Sequence, residues 1–240
     1  MQSENSFTIF GWEHGFALVG ILVVTVGFPL LVVRIYSKQL VQKIAISLAA
    51  VILISKIIEP LYRILMGEMW ASENVLPLHL CDVGGILAGI MLINRNYYLY
   101  ELTYFWGFGG TLQAILTPDL DYGFPHMDFF FFFIPHGLII VSAIFATVVF
   151  KYRPTFKSIG RAFVTTAVYA MLIAPVNWLL DTNFLYLCGT PEQATLLDYL
   201  GPWPWYLLSL IPVSLFLFFL YYSPFLIADL VKGEKALSNR

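Results

Sequence analysis

Seven apolar segments, each long enough to cross a lipid bilayer, follow one another along this chain. A transmembrane helix needs about 20 mainly apolar residues to cross about 30 Å of hydrocarbon. The segments are Gly15–Val33, Val41–Met66, Val75–Asn94, Tyr97–Thr117, His126–Phe150, Arg161–Asp181 and Trp203–Ile227. The connections between them are short. We therefore expect residues 1–240 to form a single all-α, polytopic membrane domain with seven transmembrane helices.

The composition excludes a water-soluble domain. Only 12% of the residues are charged and 59% are hydrophobic, whereas a soluble domain carries about 25% charged residues. The sequence has no basic patch with interleaved aromatic residues and no zinc-ligand spacing. We therefore expect no nucleic-acid partner, no metal site and no cofactor.

The distribution of positive charge predicts the orientation. All 13 Lys and Arg residues except Lys56 and Arg63 fall on one side of a seven-span arrangement. They are Arg34, Lys38, Lys43, Arg95, Lys151, Arg153, Lys157, Arg161, Lys232, Lys235 and Arg240. The other side carries acidic residues, namely Glu4, Glu13, Glu68, Glu73, Asp119, Asp121, Glu192 and Asp198. Cations concentrate in cytoplasmic loops, so the sequence predicts a multi-pass protein of the cell membrane with its N-terminus outside and its C-terminus in the cytoplasm.

Polar residues inside the spans cluster toward the outer side. Intramembrane charges are costly and mark candidate functional sites. The cluster contains Lys56, Glu59, Arg63, His79, Cys81, Asp82, Gln113, His136, Asn177 and Asp181. At about 1.5 Å per residue, Cys81 and its neighbours are expected about 6–10 Å below the outer end of the third span. These depths predict one polar cavity that opens to the outer face.

Structural interpretations of the same residues stay open. Glu59 and Arg63, spaced i and i+4, fit a structural ion pair. Cys81 fits a buried apolar thiol or a disulfide with Cys188 on the oxidising side. A membrane histidine such as His136 often bonds a neighbouring helix. Asn177 and Asp181 also fit a helix-end arrangement.

The polar cluster has the groups needed for acyl transfer through a thioester. A thiol becomes nucleophilic when a base takes its proton, and either His136 or His79 is suitably placed along the chain. Asp82 can orient an imidazole. Lys56 or Arg63 can bind a phosphate or stabilise an oxyanion. A cavity in the outer leaflet favours a lipid as the acyl donor.

Six motifs resemble one family in the same order along nearly the whole chain. They are Leu78-His79-Leu80-Cys81-Asp82, Tyr100-Glu101-Leu102-Thr103-Tyr104-Phe105-Trp106-Gly107, Thr117-Pro118-Asp119-Leu120, Pro135-His136-Gly137, Asn177-Trp178-Leu179-Leu180 and Gly201-Pro202-Trp203-Pro204-Trp205-Tyr206. With them the chain resembles the bacterial YwaF-type integral-membrane proteins, which are similar to eukaryotic transmembrane protein 164.

The resemblance implies a lipid-modifying enzyme. The eukaryotic relative moves polyunsaturated acyl chains onto ether lysophospholipids and uses a cysteine and a histidine. By position, this implies Cys81 as the acyl-accepting nucleophile, His136 as its base, and a membrane phospholipid or lysophospholipid as partner. The androgen-induced hydrolase family uses threonine with histidine in a related arrangement, which makes lipid-ester hydrolysis the alternative.

Supporting and binding roles complete the prediction. His79, Asp82, Asn177 and Asp181 are expected to support the catalytic pair. Lys56, Glu59, Arg63 and Gln113 are expected to bind an anion or a lipid headgroup. A second hypothesis is a transporter or binding protein whose intramembrane charges line a solute path, although the chain lacks the inverted repeat of many transporters. A third is a seven-helix sensor or scaffold without chemistry.

Overall fold

The computed structural model describes residues 6–35, 37–70, 72–191 and 195–238. Some charges used in the orientation argument lie outside the described residues. They are Glu4, Glu192 and Arg240 and the side chains of Lys232 and Lys235. Within the described ranges the fold is all-α, and the β contact is an isolated antiparallel bridge between Ser6 and Tyr122.

Eight α-helices form the described fold. They are α1 (Trp12–Val32), α2 (Lys38–Leu65), α3 (Leu80–Asn94), α4 (Tyr97–Trp106), α5 (Leu112–Leu116), α6 (Met127–Val148), α7 (Phe156–Leu180) and α8 (Trp205–Ser238). Helices α1, α2, α6, α7 and α8 are long and apolar enough to cross a membrane. The predicted third and fourth spans correspond to the shorter apolar helix α3 and to the helical run from α4 through α5.

The third predicted span begins too early in the sequence. The chain before α3 folds into turns, in which the amide of Val75 donates to the carbonyl of Ser72. His79 is the N-cap residue of α3, with an extended backbone. Val75 is apolar and buried, so hydropathy alone does not separate this turn from a helix. Cys81 and Asp82 therefore lie in the first turn of α3 instead of farther down the helix.

A π-helical segment, Gly107–Thr111, joins α4 to α5. It passes close to α8, because a Cβ atom built on Gly109 would lie 2.7 Å from Cε1 of Phe218. Glycine is therefore required there for α8 to pack at this distance. The next glycine, Gly110, faces Leu80, the first residue of α3. A Cβ atom built on Gly110 would lie 3.6 Å from Cδ2 of Leu80.

Hydrogen bonds between connections show which helix ends lie together. At one end the Tyr97 hydroxyl donates to the Arg153 carbonyl over 2.7 Å, and the Tyr152 hydroxyl donates to the Arg95 carbonyl over 2.5 Å. The turn between α3 and α4 thus meets the connection between α6 and α7.

Other connections meet at the opposite end. A side-chain carboxylate oxygen of Glu73 accepts from the amide of Asn183 over 2.6 Å. This bond joins the α2–α3 connection to the α7–α8 connection. Nε2 of His14, near the start of α1, lies 2.8 Å from the carbonyl of Ile115 near the end of α5. Connections thus alternate between two ends.

Helix α4 occupies the centre of the fold. Every residue from Tyr100 to Trp106 is buried. The core around it includes aromatic residues of α6 and α8 and small residues of α2 and α3, such as Ala45 and Ala88. By contrast, α1, α7 and α8 expose many large apolar side chains. Such an outer surface suits contact with lipid and agrees with a multi-pass membrane protein.

Candidate functional site

A buried ion pair between Lys56 of α2 and Asp82 of α3 is the centre of the polar cluster. The Lys56 Nζ atom lies 2.7 Å from Oδ1 of Asp82, and the two side chains are only 6% and 19% exposed. The lysine reaches Asp82 across Gly85, where an added Cβ would lie 2.9 Å from Cε of Lys56. The same lysine also interacts with the charge of Glu59, one turn earlier than Arg63 on α2.

Cys81 directly precedes Asp82 in the first turn of α3. It is half-buried and holds a free thiol. Its electrostatic neighbours include Asp82, Lys56 and Glu59. Cys188 is also free, and it is exposed. The disulfide interpretation of the two cysteines is therefore not found in the structure.

His136 of α6 has the same ion pair among its electrostatic neighbours. Nδ1 lies 2.7 Å from the carbonyl oxygen of Phe132, and the ring stacks on Phe132 at 4.3 Å. A carbonyl only accepts hydrogen bonds, so Nδ1 carries the proton and Nε2 of the neutral ring keeps its lone pair. The side chain is buried, and its electrostatic partners include Lys56 and Asp82. His136 and Cys81 thus share two charged neighbours.

His79 is engaged at the entrance of α3. Its Nε2 lies 3.7 Å from a carboxylate oxygen of Glu73, and its ring contacts the rings of Phe184 and Tyr186. The His79 ring, followed by the amide of Asn183, lowers the pKa of the Glu73 carboxyl. His79 therefore joins two connections, which favours a structural role over that of a base for Cys81.

Arg63 lies in an ion cluster that the sequence only partly predicted. Its separation from Glu59 is 4.0 Å, so the expected ion pair is long. Closer partners are Glu68 at 3.4 Å and Asp128 at 2.8 Å. Asp128 was missed because it lies in the first turn of α6, where an acidic residue has the ordinary role of favouring the positive helix end.

The remaining predicted residues bond to other parts of the fold. Gln113 of α5 donates to the Tyr221 hydroxyl over 3.0 Å. Asn177 is buried and forms two side-chain hydrogen bonds of 2.9 Å with the backbone of Phe184. Asp181 ends α7 in the left-handed region, with φ of 54°. The helix-end interpretation of Asn177 is thus favoured, and the binding role of Gln113 stays a prediction.

Tyr169 of α7 is a neighbour that the sequence reasoning missed. Its hydroxyl donates to the carbonyl of Leu78 over 2.8 Å, directly before His79. Cys81 and Asp82 are among its electrostatic neighbours. A single tyrosine in a long apolar helix gives no signal of such a contact, because the contact depends on how α7 packs against the turn before α3.

A second buried acid, Glu101 of α4, lies apart from this cluster. It is 1% exposed and accepts hydrogen bonds from Ser158 and Arg161 of α7. Arg161 counts as a loop cation in the charge pattern, yet here it neutralises a core carboxylate. Glu101 therefore has a structural partner already.

Two cavities open at the two ends of the molecule. One, of about 480 Å³, is lined by residues of the α7–α8 connection and the start of α8, including Trp203 and Tyr206. The other, of about 410 Å³, lies at the cation-rich end and is lined by Lys38, Arg95 and Lys151. Neither is lined by Cys81 or His136.

Comparison with known proteins gives one match. The model of the TMEM164 family matches residues 9–222. That range contains Cys81, His136 and the Lys56–Asp82 ion pair. No curated protein and no solved structure matches the chain.

Proposed function

Because the chain belongs to the TMEM164 family, we propose that it is a membrane-embedded lipid acyltransferase that forms an acyl-enzyme on Cys81 with His136 as base. The observation that carries the proposal is the tautomer of His136. Its Nδ1 is committed to the Phe132 carbonyl, so Nε2 is the nitrogen that accepts a proton. Cys81 is the thiol whose electrostatic neighbours, Lys56 and Asp82, are also electrostatic neighbours of this ring.

The first half of the reaction moves an acyl chain to the enzyme. Nε2 of His136 takes the thiol proton while the Cys81 sulfur attacks the ester carbonyl carbon of a phospholipid. The resulting oxyanion is stabilised by the Lys56 ammonium, which shifts part of its interaction away from Asp82. The ester C–O bond then breaks, and the lysophospholipid leaves as an alcohol with the proton from the imidazolium.

The second half returns the enzyme to its starting state. The hydroxyl of an acceptor lysophospholipid gives its proton to Nε2 and attacks the thioester carbonyl. The C–S bond breaks, and the Cys81 thiolate regains the proton from His136. Attack by water in this step makes the protein a lipid-ester hydrolase with the same residues. An acceptor that binds in the polar cluster and excludes water favours transfer.

In this proposal the chain crosses the membrane seven times, and its cation-rich end lies in the cytoplasm of the cell. Five single helices are long and apolar enough to cross a membrane. Helix α3 and the run from α4 through α5 supply the other two. The alternation of connections between two ends supports this count, because Tyr97 and Arg153 join at one end and Glu73 and Asn183 at the other. The cation distribution supports the orientation.

The test is direct detection of the acyl-enzyme. The full chain, in nanodiscs, is incubated with a phospholipid that carries an alkyne-tagged acyl chain, and labelled protein is detected after click chemistry. Wild type and Cys188→Ala are expected to carry a label that neutral hydroxylamine removes, as expected for a thioester. Cys81→Ala is expected to carry none. Equal labelling of Cys81→Ala and Cys188→Ala would overturn the proposal.

A matched pair of histidine variants tests the base. His136→Gln is expected to slow formation of the acyl-enzyme by about 10²–10⁴-fold, the usual contribution of a general base. His126→Gln serves as control, because His126 is a partly exposed N-cap residue and has no role in the reaction. Equal rates for the two variants would exclude His136 as base.

The buried charges also support a second candidate, a transporter or binding protein. Lys56–Asp82 and Arg63–Asp128 are ion pairs that join α2 to α3 and to α6. This candidate predicts that Asp82→Asn abolishes solute uptake into proteoliposomes while Cys81→Ala has no effect. Loss of acyl-enzyme in Cys81→Ala without any uptake in wild type would exclude it.

A further inference from the structure

A second polar site lies at the cation-rich end, away from Cys81. The cavity of about 410 Å³ is formed where the end of α1, the start of α2, the α3–α4 turn and the α6–α7 connection meet. Three cations from three of these connections line it, namely Lys38, Arg95 and Lys151. Several protein segments therefore bring like charges to one cavity.

Among the described residues these cations have no acidic partner. The sequence around each of them contains no Asp or Glu, and in the described residues none of the three forms an ion pair. Asp229 of α8 does not pair with any of these three cations, because it forms its ion pair with Arg153 over 2.7 Å. Like charges around one cavity repel one another, and an anion in the cavity relieves that repulsion.

Arg95 is held in place before any ligand binds. Its Nη2 atom donates to Gln42 over 2.5 Å, and its guanidinium lies 4.6 Å from the centre of the Phe150 ring. The Tyr152 hydroxyl fixes its carbonyl. Because a positioned guanidinium presents a planar set of donors, it matches the oxygens of a phosphate.

The rest of the lining is apolar. Valine side chains at the end of α1, in α2 and directly after α6 line the cavity together with the Phe150 ring. A free phosphate has no use for such a wall, whereas a phospholipid fits both parts. Its phosphate meets the cations and its glycerol and first methylene groups meet the valines. Basic pockets between transmembrane helices bind anionic headgroups in this way.

We propose that this cavity binds the phosphate of an anionic phospholipid in the leaflet at the cation-rich end. The site is separate from the acyl-transfer site and does not depend on it. The variant Lys38→Gln/Lys151→Gln removes two exposed cations and leaves the hydrogen bonds of Arg95 intact. The control Lys43→Gln/Lys157→Gln removes the same charge from exposed positions that do not line the cavity.

The experiment measures binding of fluorescent phosphatidylglycerol to the purified full chain in uncharged detergent. Wild type and control are expected to bind alike and to prefer it to phosphatidylcholine. The Lys38→Gln/Lys151→Gln protein is expected to bind about 25-fold more weakly, from about fivefold for each cation near the surface. The proposal would be overturned if both variants bound the lipid equally weakly, or if the wild type showed no preference for the anionic lipid. It would also be overturned if glycerol 3-phosphate competed as strongly as the phospholipid itself.

Discussion

The buried histidines differ in which ring nitrogen carries the proton. His14 accepts from the Phe10 amide at Nδ1 over 2.9 Å, so its Nε2 donates to Ile115. His136 has the reverse arrangement, with the proton on Nδ1. Both nitrogens of His14 are used inside the fold, whereas Nε2 of His136 makes no hydrogen bond to another described residue. This difference, invisible in the sequence, is the reason why His136 and not His14 is the proposed base.

The Lys56–Asp82 ion pair predicts that substitutions of its two residues are strongly coupled in a double-mutant cycle. Lys56→Met leaves the Asp82 carboxylate buried without its partner and is expected to lower the free energy of unfolding by about 3–5 kcal/mol. Asp82→Asn is expected to have a similar cost. The double variant removes both charges and is expected to cost less than the sum. Denaturant titrations in detergent measure the three values, and simple additivity would contradict the ion pair.

The packing of α2 on α3 predicts opposite effects for two neighbouring glycines. A Cβ added at Gly89 would lie 2.6 Å from Cγ of Leu53, whereas at Gly84 the nearest atom, on Trp106, is 3.8 Å away. Gly89→Ala is therefore expected to lower the free energy of unfolding by about 1–3 kcal/mol. Gly84→Ala is expected to be neutral or to stabilise by up to about 1 kcal/mol. Equal effects in thermal unfolding would contradict this helix contact.

The bond between Glu73 of the α2–α3 connection and Asn183 of the α7–α8 connection predicts a local response of the structure to pH. The pKa of Glu73 lies below its ordinary value of 4.5 because of His79 and the Asn183 amide. The folded connections therefore favour the carboxylate, and this stabilisation is complete above pH 4.5 and lost as pH falls through the lowered pKa. Hydrogen exchange of the Asn183 amide, corrected for its intrinsic rate, is expected to rise as the pH falls through this lowered pKa. In Glu73→Gln this change is expected to be absent, and its persistence would contradict the assignment.

Sequence patterns predicted the elements better than their partners. Hydropathy gave the ends of most long helices to within five residues, but α8 continues to Ser238, well beyond the predicted end at Ile227. It also extended the third span to Val75, because a buried turn is as apolar as a helix. Spacing placed Lys56, Glu59 and Arg63 on one face of α2. It did not reveal that Lys56 pairs with Asp82 and Arg63 with Asp128, because contacts between helices depend on tertiary packing.

For the whole molecule, the seven-span proposal predicts the side on which each connection is accessible. Cys188 in the Cys81→Ala background is expected to react with a membrane-impermeant maleimide on intact cells. A cysteine at Asn94, in a chain without native cysteines, is expected to react only in inside-out vesicles. Asn94 is the last residue of α3, directly before the turn to α4, so it reports whether these shorter segments cross the membrane. Labelling of both positions from one side would contradict seven spans.

The π-helical segment Gly107–Thr111 also has a consequence for evolution by insertion and deletion. A π turn contains one residue more than an α turn for about the same rotation, because each of its residues turns the chain by less than the roughly 100° of an α-helix. Deletion of Gly109 would therefore leave an ordinary α turn, with Gln113 still directed at Tyr221 and the Ile115 carbonyl still directed at His14. This glycine-rich stretch is expected to tolerate the loss of one residue more readily than a side chain added at Gly109, which would meet Phe218.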